Sequence, residues 1–348
     1  MFRSKFFLAA ALAFGAMTVC EGPAFAQTPV PTPAQDTGRL SILEENDSLY
    51  FNSDKHYTQG LRLSYLFPAV DPDSGWNGPF HFFGSFLPIF QDEPDRIRRY
   101  SFSFGQNLYT PKNINLSPPD PRDRPYAGYA YIGFSMFQEN RGSQLEHFEL
   151  QGGVIGPGAL GKQTQNTFHG LIGAGAANGW SSQLQNEPGF LFAYDRYMRI
   201  PIFGDNTGLD IIPEAGVTLG NVFTYGEAGL LLRIGTNLKA DYGPARIRPA
   251  LSGTDYFNPS AMDGKLGYYV FAGVQGRAVA QNVFLDGNTF RQSARVSKEP
   301  FVGDMQAGVS FFWANSLKLD FMAMRRTIEF AGQSRPDILG TANIAFSW

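Results

Sequence analysis

The chain has 348 residues, among them 32 Phe, 15 Tyr and 39 Gly, with a formal net charge of −3. So mild a charge excludes a broad nucleic-acid surface, and no nucleic-acid partner is expected. Past residue 26 no apolar run approaches the ~20 residues of a membrane-spanning helix, yet aromatics abound, which suits a β-barrel whose strands alternate lipid-facing and lumen-facing side chains.

Arg3 and Lys5 precede the uncharged stretch Phe6 to Val19, and Ala24-Phe25-Ala26 offers small residues for cleavage. Residues 1–26 therefore read as a signal peptide, with Gln27 as the expected mature start; the alternative, a membrane anchor, is short of the ~20 residues required. Cys20 is the single cysteine, so the mature chain is expected to hold no disulfide and no thiolate metal ligand. Residues 27–38, rich in Pro and Thr, read as a flexible lead-in.

Residues 39–348 are expected to form a transmembrane antiparallel β-barrel of about twelve strands: 40–51, 58–67, 98–108, 127–138, 144–155, 188–200, 208–220, 224–236, 265–278, 302–313, 316–327 and 339–348. Leu61, Leu63, Tyr65 and Phe67 fall on one face and Arg62 and Ser64 on the other, the period of two that marks a strand. At the end Ala342, Ile344, Phe346 and Trp348 share a face. A last strand closing on an aromatic resembles the signal read by the barrel assembly machinery, an expected partner during insertion. A soluble sandwich is the competing fold, disfavoured because soluble proteins seldom expose such a stripe. The long connections 68–96, 109–126, 237–264 and 279–301 are expected on one side, and the short links Asn140-Arg141-Gly142 and Asn221-Val222-Phe223 on the periplasmic side. Trp180 and Trp348 read as interface aromatics.

Gly158 to Ala176, after the Gly156-Pro157 break, departs from the strand pattern and reads as a short helical insertion between strands five and six, seated over or inside the barrel mouth. In helical spacing Gln165 and His169 share a face, with Ile172 one turn on. His169 is the one of four histidines on a helix beside polar neighbours; it reads as a general base, work that suits imidazole, or as the structural or solvated residue that a lone histidine more often is. No Gly-x-Ser-x-Gly elbow offers a serine nucleophile, which leaves water to be activated. Glu44-Glu45-Asn46-Asp47 is the densest oxygen-donor cluster, of a kind that favours calcium; the alternative is an ordinary acidic strand end in solvent. Neighbouring strand residues point to opposite faces, so Asn46 and Asp47 share a site only if the strand ends or bulges there. Asp123-Arg124-Pro125-Tyr126 reads as a loop brace or as a lipid headgroup contact.

Glu45-Asn46-Asp47, His56-Tyr57-Thr58-Gln59-Gly60-Leu61-Arg62, Tyr109-Thr110-Pro111, Asp123-Arg124-Pro125-Tyr126-Ala127-Gly128, Gly156-Pro157, Gln165-Asn166, His169 and Gly179-Trp180 together resemble the lipid A 3′-O-deacylase family of outer-membrane barrels, in order from about residue 40 to 200. The resemblance implies a calcium-dependent ester hydrolase of the outer membrane that removes 3′-linked acyl chains from lipid A, its histidine activating water in a manner similar to phospholipase A2. Carried over, His169 matches the base, Gln165 its helix neighbour, Asn46 and Asp47 the metal and active-site pair, and Thr58 the strand-two hydroxyl. An acidic residue of the family is matched by Gly175, with Glu187 nearby. A Lys-Arg pair suited to lipid A phosphates is matched by the uncharged Ile114-Asn115-Leu116, leaving Lys112, Arg122 and Arg124 to bind the headgroup. The competing readings are a non-catalytic barrel, pore or structural, and an outer-membrane phospholipase.

Overall fold

The computed structural model describes residues 36–47, 55–250, 254–264, 266–314 and 316–347. The expected signal peptide, most of the lead-in, the last residues of the first expected strand, the side chain of Ile172 and Trp348 lie outside the described residues. The strands are β1 (Arg39–Asn46), β2 (His56–Leu66), β3 (Arg96–Thr110), β4 (Ala127–Asn140), β5 (Gln144–Ile155), β6 (Glu187–Met198), β7 (Ile200–Gly204), β8 (Gly208–Gly220), β9 (Phe223–Gly235), β10 (Leu266–Asn282), β11 (Phe301–Trp313), β12 (Leu317–Arg326) and β13 (Asp337–Phe346). Short helices α1 (Gly78–Gly84), α2 (Gly161–Ile172) and α3 (Val283–Asp286) lie in the connections. All the strand pairings are antiparallel, and β1 pairs with β13 to close the cylinder. Both β6 and β7 pair with β8 and only Arg199 separates them, so they are one interrupted strand and the barrel has twelve staves, as expected. Arg199 turns inward at the break to bind Asp210 at 2.8 Å.

The two faces of the wall explain the composition. Outward positions carry exposed apolar side chains such as Ile132, Phe301 and Trp313, 64–73% exposed, while the alternate positions are buried and polar. Buried charge needs a partner, and the lumen supplies it: Asp210 and Asp241 each bind Arg233 at 2.7 Å, and Arg277 and Arg326 converge on Asp304 at 3.0 and 2.9 Å.

Strands alternate in direction, which corrects the expected loop layout. The β4–β5 turn at 141–143 and the β8–β9 turn at 221–222 lie at opposite ends, not together. Of the long connections, those after β2 and β9 leave the end that holds the chain termini, whereas those after β3 and β10 leave the opposite rim. The β9–β10 segment is not a surface loop at all. Residues 237–250 are buried almost throughout, and they thread the lumen: Tyr242 Oη donates to Glu139, Ile247 N donates to Glu45 at 3.1 Å, and Pro249 O accepts from Arg277 and Arg326. This plug carries Arg248, which binds Glu149 at 2.6 Å and also Asp195.

Removing one partner of a buried charge network leaves the other uncompensated, at a cost of about 3–5 kcal/mol. Arg248→Ala is therefore expected to lower the urea midpoint of the refolded barrel, followed by loss of the heat-modifiable gel band; an unchanged midpoint would show that the plug is not anchored through Arg248.

Candidate active site on the outer wall

The helix that carries His169 packs against the outside of the barrel, not over its mouth. Outward positions on β3 run through Phe102 and Phe104, both exposed, and continue through Gln106 and Leu108. Gln106 Nε2 donates to Ala159 O at 2.6 Å, in the single turn that precedes α2, and a Cβ on Gly161 would fall 3.0 Å from Leu108 Cδ2 and 2.6 Å from Trp180 Cη2. Glycine at 161 thus permits the close approach of helix to wall. A helix cannot join the ladder, and the outward rows of β3 and β4 offer it a seat.

α2 sorts its faces sharply. Gln165 and His169, one turn apart, are buried at 2% and 6% exposure, while Leu160 just before the helix and Phe168 and Leu171 within it are exposed. Trp180 Nε1 donates to Gln165 Oε1 at 2.7 Å, and the indole packs on Tyr126 with ring centroids 5.0 Å apart. Trp180 is thereby a buried bolt between the helix and the β3–β4 loop; its expected place at the membrane interface is corrected, since it is 1% exposed.

The end of α2 sets the histidine. Gly173 ends the helix with φ +73°, a left-handed conformation suited to glycine, and Ala174 N donates back to His169 O at 2.8 Å. The chain returns so that His169 Nδ1 lies 2.6 Å from Gly175 O, and Asn166 Oδ1 accepts from Ala177 N at 3.0 Å to hold the return. A carbonyl only accepts, so Nδ1 carries the proton and Nε2 is the basic nitrogen of the neutral ring. Gly175, where the resemblance placed an acid, does the orienting through its backbone. Glu187 does not substitute: its carboxylate accepts from Thr289 N and Phe290 N at 3.0 and 3.2 Å in the β10–β11 loop.

The remaining candidate residues lie at the same end of the neighbouring staves β1 and β2. β1 ends at Asn46, whose ladder partner is Gln59, and Gln59 is the ladder partner of Leu108 beneath α2. β2 is bulged between Tyr57 and Gln59, which frees Thr58 from the alternation, and Thr58 and Thr110 share a hydrogen bond of 2.6 Å. The condition for Asn46 and Asp47 to serve one site is met, since the strand ends there; both are buried, Asn46 Nδ2 donates to Glu44 at 3.3 Å, and Asp47 Oδ2 accepts from Lys55 N at 2.6 Å. Among the described residues no three His, Cys, Asp or Glu side chains cluster as metal ligands. The donors present are the Asp47 carboxylate, the Glu44 carboxylate beside Asn46, and amide and hydroxyl oxygens, a hard set that suits calcium completed by carbonyls and water and does not suit a soft metal.

Of the three expected headgroup cations, Lys112 and Arg122 are exposed on the β3–β4 loop. Arg122 pairs with Asp120 at 2.8 Å, and its hydrogen bonds hold the Asp120 carboxyl down at about 2. Arg124 is corrected: it is fully buried, 4.6 Å over the Tyr109 ring and 3.5 Å from Glu329, so it braces the loop and presents no charge outward. Asp123 braces the same loop by accepting from Lys112 N and Arg124 N, both at 2.8 Å. In the sequence Thr110 stands only within the motif Tyr109-Thr110-Pro111, its pairing with Thr58 hidden because the two are ladder neighbours across a bulge, and the Gly175 carbonyl is hidden as a backbone atom.

A closed twelve-stave barrel with an apolar exterior, a polar plugged interior and a histidine-bearing helix packed on the outer wall has the build of an outer-membrane protein. The sequence matches the family described as Outer membrane protein LpxR over residues 8–348, and the chain belongs to that family of the bacterial outer membrane. Among solved structures, LpxR from Salmonella typhimurium overlays with a TM-score of 0.69 at 22% identity, covering 89% of this chain and 100% of that one. The β domain of the Bordetella autotransporter BrkA matches with a TM-score of 0.44 at 10% identity over 90% of this chain and 100% of that one. The translocator domain of NalP from Neisseria meningitidis gives 0.38 at 10% identity over 90% and 89%. No curated protein sequence matches the chain.

The indole bolt is open to test. Trp180→Phe keeps an aromatic ring, though a smaller one, and deletes the donor to buried Gln165, a loss of about 1–3 kcal/mol, so amides of 161–172 are expected to exchange faster with deuterium while those of β8–β9 stay unchanged; equal protection in both proteins would place the helix under other control.

Proposed function

We propose that the chain hydrolyses acyl esters of lipid A, releasing 3′-linked chains in the outer leaflet. The observation that carries this reading is the fixed tautomer of His169 on a helix that flanks the lipid-facing wall. In the reaction His169 Nε2 takes a proton from water, and the water oxygen bonds to the ester carbonyl carbon. The acyl C–O bond to the sugar then breaks, and the sugar oxygen recovers the proton from Nε2–H, leaving a free fatty acid and a sugar hydroxyl. Asn46 and Asp47 are the residues that would hold calcium, with Thr58 and Thr110 beside them. Calcium, when bound there, supplies Lewis-acid stabilisation of negative charge on the carbonyl oxygen. Gln165 is a positioning residue, tied to Trp180 and one turn from the base. Lys112 and Arg122 are the exposed cations available to lipid A phosphates.

Position supports a lipid substrate: a site on the outer wall meets acyl esters at the depth at which they lie, without drawing them from the bilayer. The filled lumen speaks against a pore, since Tyr242, Ile247 and Arg248 occupy the path that ions would take.

His169→Ala is expected to insert normally and to lose ~10²–10⁴-fold of the activity, read by mass spectrometry of lipid A from cells expressing either protein. Lipid A that loses its 3′ acyl mass with both proteins would remove His169 from the chemistry, and lipid A unchanged by the wild type would remove lipid A as substrate. Chelation is expected to abolish acyl release and added calcium to restore it; full activity in excess chelator would sink the calcium assignment.

A further inference from the structure

The β2–β3 connection also lies on the outside of the barrel, at the end opposite α2. Phe67 N and Val70 N donate to Tyr100 O and Arg98 O, and the segment then wraps across β3 to β6. The ring centroids of Phe80 and Tyr100 are 5.2 Å apart, those of Phe83 and Phe148 5.1 Å, and those of Phe90 and Tyr194 6.3 Å. Tyr100, Phe148 and Tyr194 occupy the same outward rows as the exposed Phe102, Leu150 and Phe192. Beneath the segment lie outward-facing polar groups that it satisfies: Arg98 donates to Gln138, Asn77 and Asp92, and Glu146 accepts from Phe90 N at 2.9 Å and from Arg196.

The lipid-facing band is uneven as a result. On β10 exposed positions run from Leu266 to Gly276, and at about 3.3 Å per residue with a tilt near 40° this makes a band about 25 Å tall, that of a full outer-membrane belt. On β4 the uncovered outward row runs only from Ala130 to Phe134, about 10 Å by the same arithmetic. α2 covers the wall on one side of this strip and the 67–95 segment on the other. The missing height below the strip must be supplied by the outer face of the segment, and that face is apolar: Trp76, Phe82, Phe86 and Leu87 are 41–70% exposed. Residues 74–90 contain no Asp, Glu, Lys or Arg, while Asp71 and Asp73 precede them and Asp92, Glu93 and Asp95 follow. Uncharged aromatics between acidic shoulders suit a segment immersed in the bilayer whose ends reach water. Asp92 and Glu93 are paired with Arg96, Arg98 and Arg141, whereas among the described residues no ion pair joins Asp71 or Asp73 to a cation, and these two disfavour anionic lipid.

We propose that residues 67–95 form a collar embedded in the inner leaflet, with Trp76, Phe82, Phe86 and Leu87 in contact with zwitterionic phospholipid. Both termini leave the barrel at this end, which is the periplasmic end of an outer-membrane barrel with an even number of staves. The aromatic row is continuous with the belt through Phe83 and Phe148 and, at its start, through Phe67 and Phe102, 5.9 Å apart.

The test folds residues 27–348 into phosphatidylcholine vesicles, with and without bromine on the acyl chains, and takes the fluorescence difference between wild type and Trp76→Phe. Heat-modifiable mobility verifies that both are folded. The Trp76 signal is expected to be lost in brominated vesicles and to resist aqueous iodide. A signal quenched by iodide and untouched by bromine would overturn the proposal, as would one shielded from both, which would signify a protein cover. Phe86→Cys carrying an environment-sensitive fluorophore repeats the measurement without the indole: blue-shifted emission quenched by lipid nitroxides is expected, and water-like emission would overturn the proposal.

Discussion

The rest of the structure depends on one constraint: each residue on a barrel stave faces either hydrocarbon or lumen, and a polar group has to find partners on whichever side it falls. On the inner side this is met by dense ion pairing. On the outer side it is met wherever another part of the chain is laid over the wall, and both elements that carry interest here are of that sort. α2 and the turn before it cover the rims of β3 and β4, with His169 on the buried face of the helix; the 67–95 segment covers the far ends of β3 to β6 and shields Arg98 and Glu146.

The plug follows from the same constraint. Twelve staves enclose more room than their own side chains fill, and the β9–β10 segment fills it with Tyr242, Arg246, Arg248 and Tyr256, each meeting a wall acid. A wall lined with Glu45, Glu149, Asp195 and Asp304 is tolerable because arginines from two sources, wall and plug, neutralise it. The same pairing ties the wall beside the candidate site to the plug, since β1, which ends at Asn46 just before Asp47, is joined through Glu45 to Arg246 at 3.5 Å.

Much of the wall was legible in the sequence because a period of two survives in single strands: 144–155 and 208–220 coincide with β5 and β8, and the rest agree to within a few residues. The helix at 161–172 was legible from its break in that period. What the pattern could not convey is on which side of the wall a connection lies. Residues 237–264 and 68–96 look alike as long polar-aromatic loops, yet one fills the lumen and the other wraps the exterior. The charges are the clue in retrospect: Arg246 and Arg248 stand in a segment with no aqueous reason for them, whereas the uncharged stretch 74–90 has aromatics with no core to enter. Arg124 misled for a related reason, because an arginine in a rim loop reads as a surface cation until Tyr109 and Glu329 are seen to enclose it.

The carbonyl of Gly175 has a consequence for how such proteins diverge. An acid that orients a histidine is a side chain, exposed to substitution and visible when sequences are compared; a carbonyl belongs to every residue, and what must persist is only the path of the chain after Gly173. In this chain the path is set by Gly173, with its left-handed φ of +73°, and by Asn166, which accepts from Ala177 N. An orienting contact made by a main-chain oxygen, as between Gly175 and His169 Nδ1, leaves no mark in the side chain at that position.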